Sequence, residues 1–409
     1  MKYVLGAQCV KCGREYDAVP DLTTCSCGGI LDIVYDYAAI RRDFSPHQLA
    51  LSRDFSMWRY LPVEADSAPT PLRVGWSPLY PAPRLARALG LKALYLKDDG
   101  QNPTASLKDR ASALAVVKAR EAGADTIACS STGNAASSLA GNAAAAGLST
   151  YIFVPSRAPK GKVAQLRIFG STVISVDGSY EDTFALSKAA IDRWGWYNRN
   201  AAVNPYLSEG KKTVTLEILE QLGWRTPDYI ALSVGDGCTI AGAWKGLKDL
   251  YAAGFIERLP RLISVQAQGC CPLNRAIQTG TPWTPMAENT LADSIAVGVP
   301  RNPDKALNAI RESDGIAVNV SDDEILAAMR LLGRTQGVFG EPAGVTGTAG
   351  VKKALELGLI SPDSTVVSIV TGNGLKDVQN GIRAAGEPML VRPELDALLD
   401  AFASHGIAP

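Results

Sequence analysis

Histidine is nearly missing. The 409-residue chain has two, His47 and His405, and neither lies near the motifs described below. That argues against a Ser–His–Asp or Cys–His nucleophile system and against a His-built catalytic metal site. Proton transfer then falls to lysine, carboxylates, tyrosine or a cofactor. Net charge is missing as well. The 41 basic and 41 acidic residues cancel, so no basic field favours nucleic acid. No apolar run reaches about 18 residues, and no membrane span is expected. The apolar part of Met1-Lys-Tyr-Val-Leu-Gly-Ala7 is too short for a signal peptide. A cytoplasmic protein follows as the expectation, and its eight cysteines then read as thiols or ligands rather than disulfides. Internal repeats and low-complexity linkers are absent too. What remains is a soluble chain long enough for two core-bearing domains.

The cysteines come first. Residues 1–36 carry Cys9-Val-Lys-Cys12-Gly13 and Cys25-Ser-Cys27-Gly28-Gly29. Two paired knuckles about a dozen residues apart suggest a small zinc ribbon held by Cys9, Cys12, Cys25 and Cys27. The second pair is C-x-C, a less favourable turn, so a ribbon-shaped extension without metal stays open beside it. Asp32–Tyr37 reads as a strand leaving this unit. Residues 38–90 read as helices and loops, with a short helix at Arg84–Gly90.

From Ala93 the pattern alternates. Strands are expected at 93–96, 126–129, 150–154 and 172–176, with helices at 110–121, 134–146, 160–169 and 180–194 between and after them. A second series follows: strands 229–234, 262–265 and 365–370, and helices 239–254 and 323–335. Strands alternating with helices imply βαβ units and parallel sheets covered on both faces. The expected architecture is two doubly wound α/β domains sharing a cleft. One is the smaller unit, 91–214; the other is a larger unit built from 37–90 and 215–409. Ligands in such folds bind beyond the carboxyl ends of the strands.

Chemistry-bearing motifs sit at those ends. In Asn102-Pro-Thr-Ala-Ser-Leu-Lys108-Asp109 one lysine stands where a loop becomes a helix. Thr104 and Ser106 are expected caps for that helix. The helix dipole and burial both disfavour the charged amine, and a neutral amine is what Schiff-base chemistry requires. Taken alone, the stretch fits a surface lysine equally well. Ser130-Ser131-Thr132-Gly133-Asn134 places small hydroxyls and a helix N-terminus where a carboxylate would fit. Val234-Gly235-Asp236-Gly237-Cys238-Thr239 lets backbone approach a phosphate. It lacks the spacing of a nucleotide loop, so a smaller phosphate ester fits better, with the Asp236 side chain turned away. Thr371, in Val370-Thr-Gly-Asn-Gly-Leu-Lys-Asp377, puts a hydroxyl at a strand end. An amine, a carboxylate loop, a phosphate loop and a hydroxyl are together met by one cofactor with an aldehyde and a phosphate, pyridoxal 5′-phosphate (PLP).

At this point the sequence resembles the tryptophan-synthase-β superfamily of PLP enzymes (fold type II), and most of all the threonine synthase family. The family's N-P-T-x-S-x-K-D falls on Asn102–Asp109, S-T-G-N on Ser131–Asn134, and the phosphate loop on Gly235–Thr239. T-G-x-G-L-K-D begins at Thr371, and E-P-A is met at Glu341-Pro-Ala343. The resemblance covers most of the chain. It implies two open-sheet domains with PLP between them. Lys108 is then the Schiff-base lysine and the general base for the α-proton. Asn134, Gly235, Asp236, Gly237, Cys238, Thr239 and Thr371 join it as cofactor contacts. Ser131, Thr132, Gly133, Asn134 and Ala135 would receive the substrate. Thr371 would bond the pyridine nitrogen with a neutral hydroxyl, which suits elimination and replacement over transamination. A small amino-acid substrate and a homodimer are expected.

Departures from the family pattern fall where its substrate phosphate binds. N-S-x-N-P-x-R-x-E-G-Q-K is replaced by Ala201-Ala202-Val-Asn-Pro-Tyr-Leu207-Ser-Glu-Gly-Lys211-Lys212. Each polar partner missing from around a dianion costs about 1.5–3 kcal/mol unless Lys211 or Lys212 substitutes. The activity expected is therefore elimination or replacement at Cβ or Cγ of a small amino acid: O-phosphohomoserine to threonine, or a related unphosphorylated substrate. An ammonia-lyase of the threonine dehydratase or diaminopropionate type is the alternative. A PLP-binding or zinc-ribbon regulatory protein without catalysis is the alternative of another class.

Overall fold

The structure is a computed structural model that describes residues 2–60, 67–158 and 160–407, and the side chains of Lys160 and Tyr180 lie outside that description. Part of the helix-and-loop stretch expected over 38–90, namely 61–66, is likewise outside it.

Parallel strands with apolar residues on both faces must be covered twice, and the large sheet shows it. Its six strands run in the order Ile316–Val320, Arg261–Ala267, Tyr229–Ser233, Thr365–Val370, Ala93–Asp98, Leu79–Pro81. All neighbours are parallel except the last pair, which is antiparallel. Ala231, Val265, Val318 and Val366 point into one core with helices Asp322–Gln336 and Pro342–Glu356. Ile230, Leu232, Leu262 and Val367 point into the other, with helices Tyr206–Gln221 and Cys238–Ala252.

A second sheet is parallel throughout, in the order Thr172–Val176, Ser149–Pro155, Thr126–Ser130, Tyr197–Asn198. It packs on helices Lys108–Glu121 and Asn134–Ala146 through Ala111, Ala115, Ala136, Leu139 and Ala140. Strand Ala93–Asp98 pairs with Thr365–Val370 in the large sheet. It therefore stands apart from the four-stranded sheet of the 91–214 unit in which the sequence placed it. The crossover between the sheets comes just after it, through the Asn102–Leu107 loop.

The N-terminal unit is a three-stranded antiparallel sheet, with Val4–Cys9 between Glu15–Tyr16 and Leu31–Tyr35. It packs on Ala113, Leu114 and Val117 of the Lys108 helix. The strand expected at 32–37 stops at Tyr35, because Asp36 caps a short helix, Tyr37–Asp43, by accepting the Ala39 N–H.

Helix Tyr206–Gln221 carried no amphipathic signal because it is buried almost throughout. Glycines thin out helix Pro342–Glu356, where they admit neighbours. A Cβ on Gly350 would run into the Val265 side chain, and one on Gly344 would lie 2.6 Å from the Gly372 carbonyl oxygen. Among the described residues no helix is long and apolar enough to cross a membrane.

Candidate active site

The Lys108 helix starts at Lys108 itself, and its cap is not the one expected. Its N-cap position is Leu107, with no side-chain cap bond. Instead Asp109 reaches back: its carboxylate accepts from the Thr104 N–H and the Thr104 hydroxyl, each at 2.8 Å, and from Asn142 Nδ2 at 2.8 Å. The Ser106 hydroxyl is buried without a partner. Ala105 takes a left-handed conformation, φ 66°, which turns the loop against the strand end at Thr371. Leu107 N–H donates to the Thr371 carbonyl at 2.8 Å, and Asn373 N–H to the Ala105 carbonyl at 3.0 Å.

Those bonds set Lys108 beside the other motifs. One cavity is lined by Lys108, Asn134, Ala135, Gly235, Asp236, Gly237, Cys238, Thr239 and Thr371. An adjoining cavity is lined by Lys108 together with Ser131, Thr132, Gly133, Asn134 and Ala135. All the expected cofactor and substrate residues thus meet at the carboxyl ends of strands from both sheets.

Lys108 is half-buried and has no hydrogen bond or ion pair among the described residues. Burial lowers its pKa, outweighing the opposing pull of Cys238, Asp236 and Glu341. The glycine loop is shaped by close approach. A Cβ on Gly235 would sit 2.8 Å from Ile295 Cα, and one on Gly237 2.7 Å from the Asn302 carbonyl oxygen. Gly237 has φ 82° and leads directly into helix Cys238–Ala252, whose first N–H groups are left for an anion. The Asp236 carboxylate accepts the Arg301 N–H at 3.1 Å, though the residue still lines the cavity. An unpaired amine, a glycine loop at a helix N-terminus and a strand-end hydroxyl fit the aldehyde, phosphate and ring of PLP.

Two cavity residues, Glu341 and Arg199, escaped the sequence reading of the site. Glu341, 5% exposed, accepts from Asn134 Nδ2 at 2.6 Å. Burial pushes its carboxyl up to about 7 against that hydrogen bond and Lys376. Its E-P-A segment was visible in the sequence, but its neighbour was not. Arg199 and Lys211 also line the cavity. Arg199 follows a two-residue strand too short to announce itself. Lys212, the other lysine of its pair, points elsewhere and is bound to Glu209 and Asp249 at 2.7 and 2.8 Å.

Behind the site lies a buried charge network. The Arg110 guanidinium meets Asp99 at 2.7 Å and Glu217 at 2.5 Å, and Lys97 meets Glu217 at 2.7 Å, all with fully buried side chains. It ties the Lys108 helix to helix Tyr206–Gln221 and to the large sheet.

In the N-terminal unit, the sulfurs of Cys9, Cys12, Cys25 and Cys27 all lie within 4.8 Å of one another. Neighbouring sulfurs are 3.4–3.6 Å apart, and no disulfide forms. A tetrahedral zinc with bonds of about 2.3 Å has sulfur–sulfur edges of roughly 3.8 Å, so the cluster is of the right size for the ion.

The comparisons with known proteins agree with this geometry. A family profile described as "Pyridoxal-phosphate dependent enzyme" matches residues 71–372. The chain is 41% identical over 402 residues to the threonine synthase of Methanosarcina acetivorans, covering 97% of this chain and 98% of that one. It is 39% identical over 397 residues to the threonine synthase of Methanocaldococcus jannaschii, covering 96% and 98%. Among solved structures, the processed form of threonine deaminase isoform 2 from Solanum lycopersicum superposes with a TM-score of 0.63 at 22% identity, over 75% of this chain and 86% of that one.

Proposed function

The chain belongs to the family of pyridoxal-phosphate dependent enzymes that eliminate or replace a group at Cβ or Cγ of an amino acid, and within it we propose a threonine synthase activity. The substrate is O-phosphohomoserine, which with water gives threonine and inorganic phosphate. The observation that carries this reading is the match to threonine synthases over nearly the whole chain, Cys-rich extension included.

When bound, PLP supplies an electron sink for charge developing at the substrate carbons. Lys108 holds its aldehyde end and is the base that takes and returns protons at Cα and beyond. Burial lowers the pKa of that amine and so favours its neutral form. Gly235, Asp236, Gly237, Cys238 and Thr239 hold the phosphate, chiefly through backbone N–H groups. Thr371 serves the ring nitrogen with a neutral hydroxyl, and Asn134, fixed by Glu341, serves the ring oxygen. Ser131, Thr132, Gly133, Asn134 and Ala135 take the substrate carboxylate at a helix N-terminus. The four N-terminal cysteines hold a structural zinc. The enzyme works as a homodimer in the cytoplasm.

The test is turnover of the purified, cofactor-loaded protein. O-Phosphohomoserine should release phosphate and threonine in equal amounts, and Lys108→Ala should abolish both along with the visible cofactor absorbance. Release of ammonia and a 2-oxo acid from threonine, serine or diaminopropionate, with O-phosphohomoserine untouched, would make the protein an ammonia-lyase instead.

A further inference from the structure

The residues that hold the substrate phosphate in the family pattern are Ala201, Ala202 and Leu207 here. A dianion entering the cavity therefore needs other partners, and the same loop offers them one and two positions upstream. Arg199 and Asn200 are each 2% exposed. The Arg199 guanidinium has only one partner among the described residues, the Ser112 hydroxyl, reached by Nε and Nη2 at 3.2 Å. None of the described carboxylates lies within ion-pair distance of it. Asn200 is oriented by accepting the Ser130 N–H at 2.8 Å. That leaves its Nδ2 buried without an acceptor, and the Ser130 hydroxyl is buried without a partner too. Arg199, Asn200 and Ser130 line one small cavity, and Arg199, Ala135, Ala201 and Asp236 are shared between it and the Lys108 cavity.

Lys211 lines the Lys108 cavity together with Arg199. It is 2% exposed, and its only hydrogen bond among the described residues is a long one, 3.5 Å, to the Leu207 carbonyl. Burial, Arg199 and Lys108 together hold its pKa down at about 8. Burying uncompensated cations and orphaned donors side by side is costly for a folded protein. Asp236, which lines both cavities, offsets part of that charge, and a bound anion would offset more.

We propose that Arg199, Lys211 and the free amide of Asn200 form a rebuilt subsite for the phosphoester group of the amino-acid substrate, taking over from the polar side chains that the family pattern carries where Ala201, Ala202 and Leu207 stand. The proposal rests on the threonine synthase reading for the identity of the substrate, but not for the existence of the anion site. The cofactor's own phosphate is assigned to the 235–239 loop, where backbone N–H groups await it. Ala201 is the apolar wall shared by the two cavities, and Leu207 packs into the core of the smaller sheet.

The experiment uses the cofactor-loaded protein and inorganic phosphate as the probe. Phosphate binding is followed by calorimetry, cofactor content by absorbance after gel filtration, and substrate turnover by phosphate release. In Arg199→Met and Lys211→Met, phosphate binding and the KM for O-phosphohomoserine should each weaken by about 10- to 100-fold, the worth of a charge-assisted contact. Cofactor content should stay at the wild-type level. Arg199→Lys should recover part of the phosphate affinity, and it is the variant to read if Arg199→Met fails to fold. Unchanged phosphate affinity in the variants overturns the proposal. So does selective loss of cofactor, which would give these cations to the cofactor's phosphate. Phosphate binding that depends on Arg199 in a protein inert toward O-phosphohomoserine would keep the subsite and remove the threonine synthase reading. Turnover of O-phosphohomoserine that ignores both substitutions would do the reverse.

Discussion

Asn134 and Glu341 are 207 residues apart in sequence, yet Asn134 Nδ2 donates to Glu341 Oε1 at 2.6 Å inside the cavity. The pair joins the helix that follows a strand of the smaller sheet to the helix packed under the larger one. A carboxylate there has little water, and burial raises it to about 7 from the usual 4.5. The folded protein keeps a proton that the unfolded chain releases between those two values. Stability from this group therefore falls as pH rises through that window and is constant above it. Wild type should lose ~3 kcal/mol relative to Glu341→Gln between pH 4.5 and 7. Urea unfolding of the cofactor-free protein at several pH values measures the difference, and parallel curves for the two proteins would refute it.

Glu217 anchors two cations, Arg110 and Lys97, with all three side chains fully buried. Against the upward push of burial, they hold its carboxyl down at about 2. Glu217→Ala strips Lys97 of its carboxylate and leaves Arg110 with Asp99 alone, and should destabilise the protein by roughly 3–5 kcal/mol. Glu217→Gln keeps the shape but not the charge and should fall between. Equilibrium denaturation of the three proteins orders them.

Gly237→Ala tests the phosphate loop. The new methyl would meet the Asn302 carbonyl oxygen at 2.7 Å and the Ala306 methyl at 2.6 Å, on a backbone with φ 82°. The left-handed conformation alone costs about 1–3 kcal/mol for a residue other than glycine. Cofactor per chain after exhaustive dialysis should drop well below wild type. Gly333→Ala is the control, since it lies in helix Asp322–Gln336 and a Cβ there meets nothing within 4 Å.

For the N-terminal cysteines, elemental analysis should find one zinc per chain, lost in Cys9→Ser and in Cys25→Ser. Because this unit packs on Ala113, Leu114 and Val117 of the Lys108 helix, chelation should lower the melting temperature of the whole protein. A metal-free preparation with wild-type stability would leave a ribbon that needs no ion.

Much of this molecule was readable from residue order. Strands Thr172–Val176 and Thr365–Val370 and helices Asn134–Ala146 and Tyr180–Trp194 run where their patterns put them, because each is bounded by a glycine, a cap or a turn. The buried helices Tyr206–Gln221 and Pro342–Glu356 were not readable, since a helix packed on every side shows no polar face. Lys108, Asn134 and Thr371, singled out because each sits in a motif at a strand–helix junction, line one cavity. Glu341 and Arg199 were missed as site residues because their meaning comes from what they lack or touch across the fold, and the sequence alone did not separate Lys211 from Lys212. An orphaned amide or an unpaired guanidinium has no signature in one dimension.

The loop before Lys108 is fastened to Thr371 and Asn373 by Leu107 N–H and Asn373 N–H. In the order of synthesis this means that the amine emerges early but receives its support only when the last strand of the large sheet arrives. A chain that ends before Thr371 lacks both bonds, and the loop before Lys108 is without that anchor. Competence to hold the cofactor is thus a late event in folding, set by the most sequence-distant contact around the site.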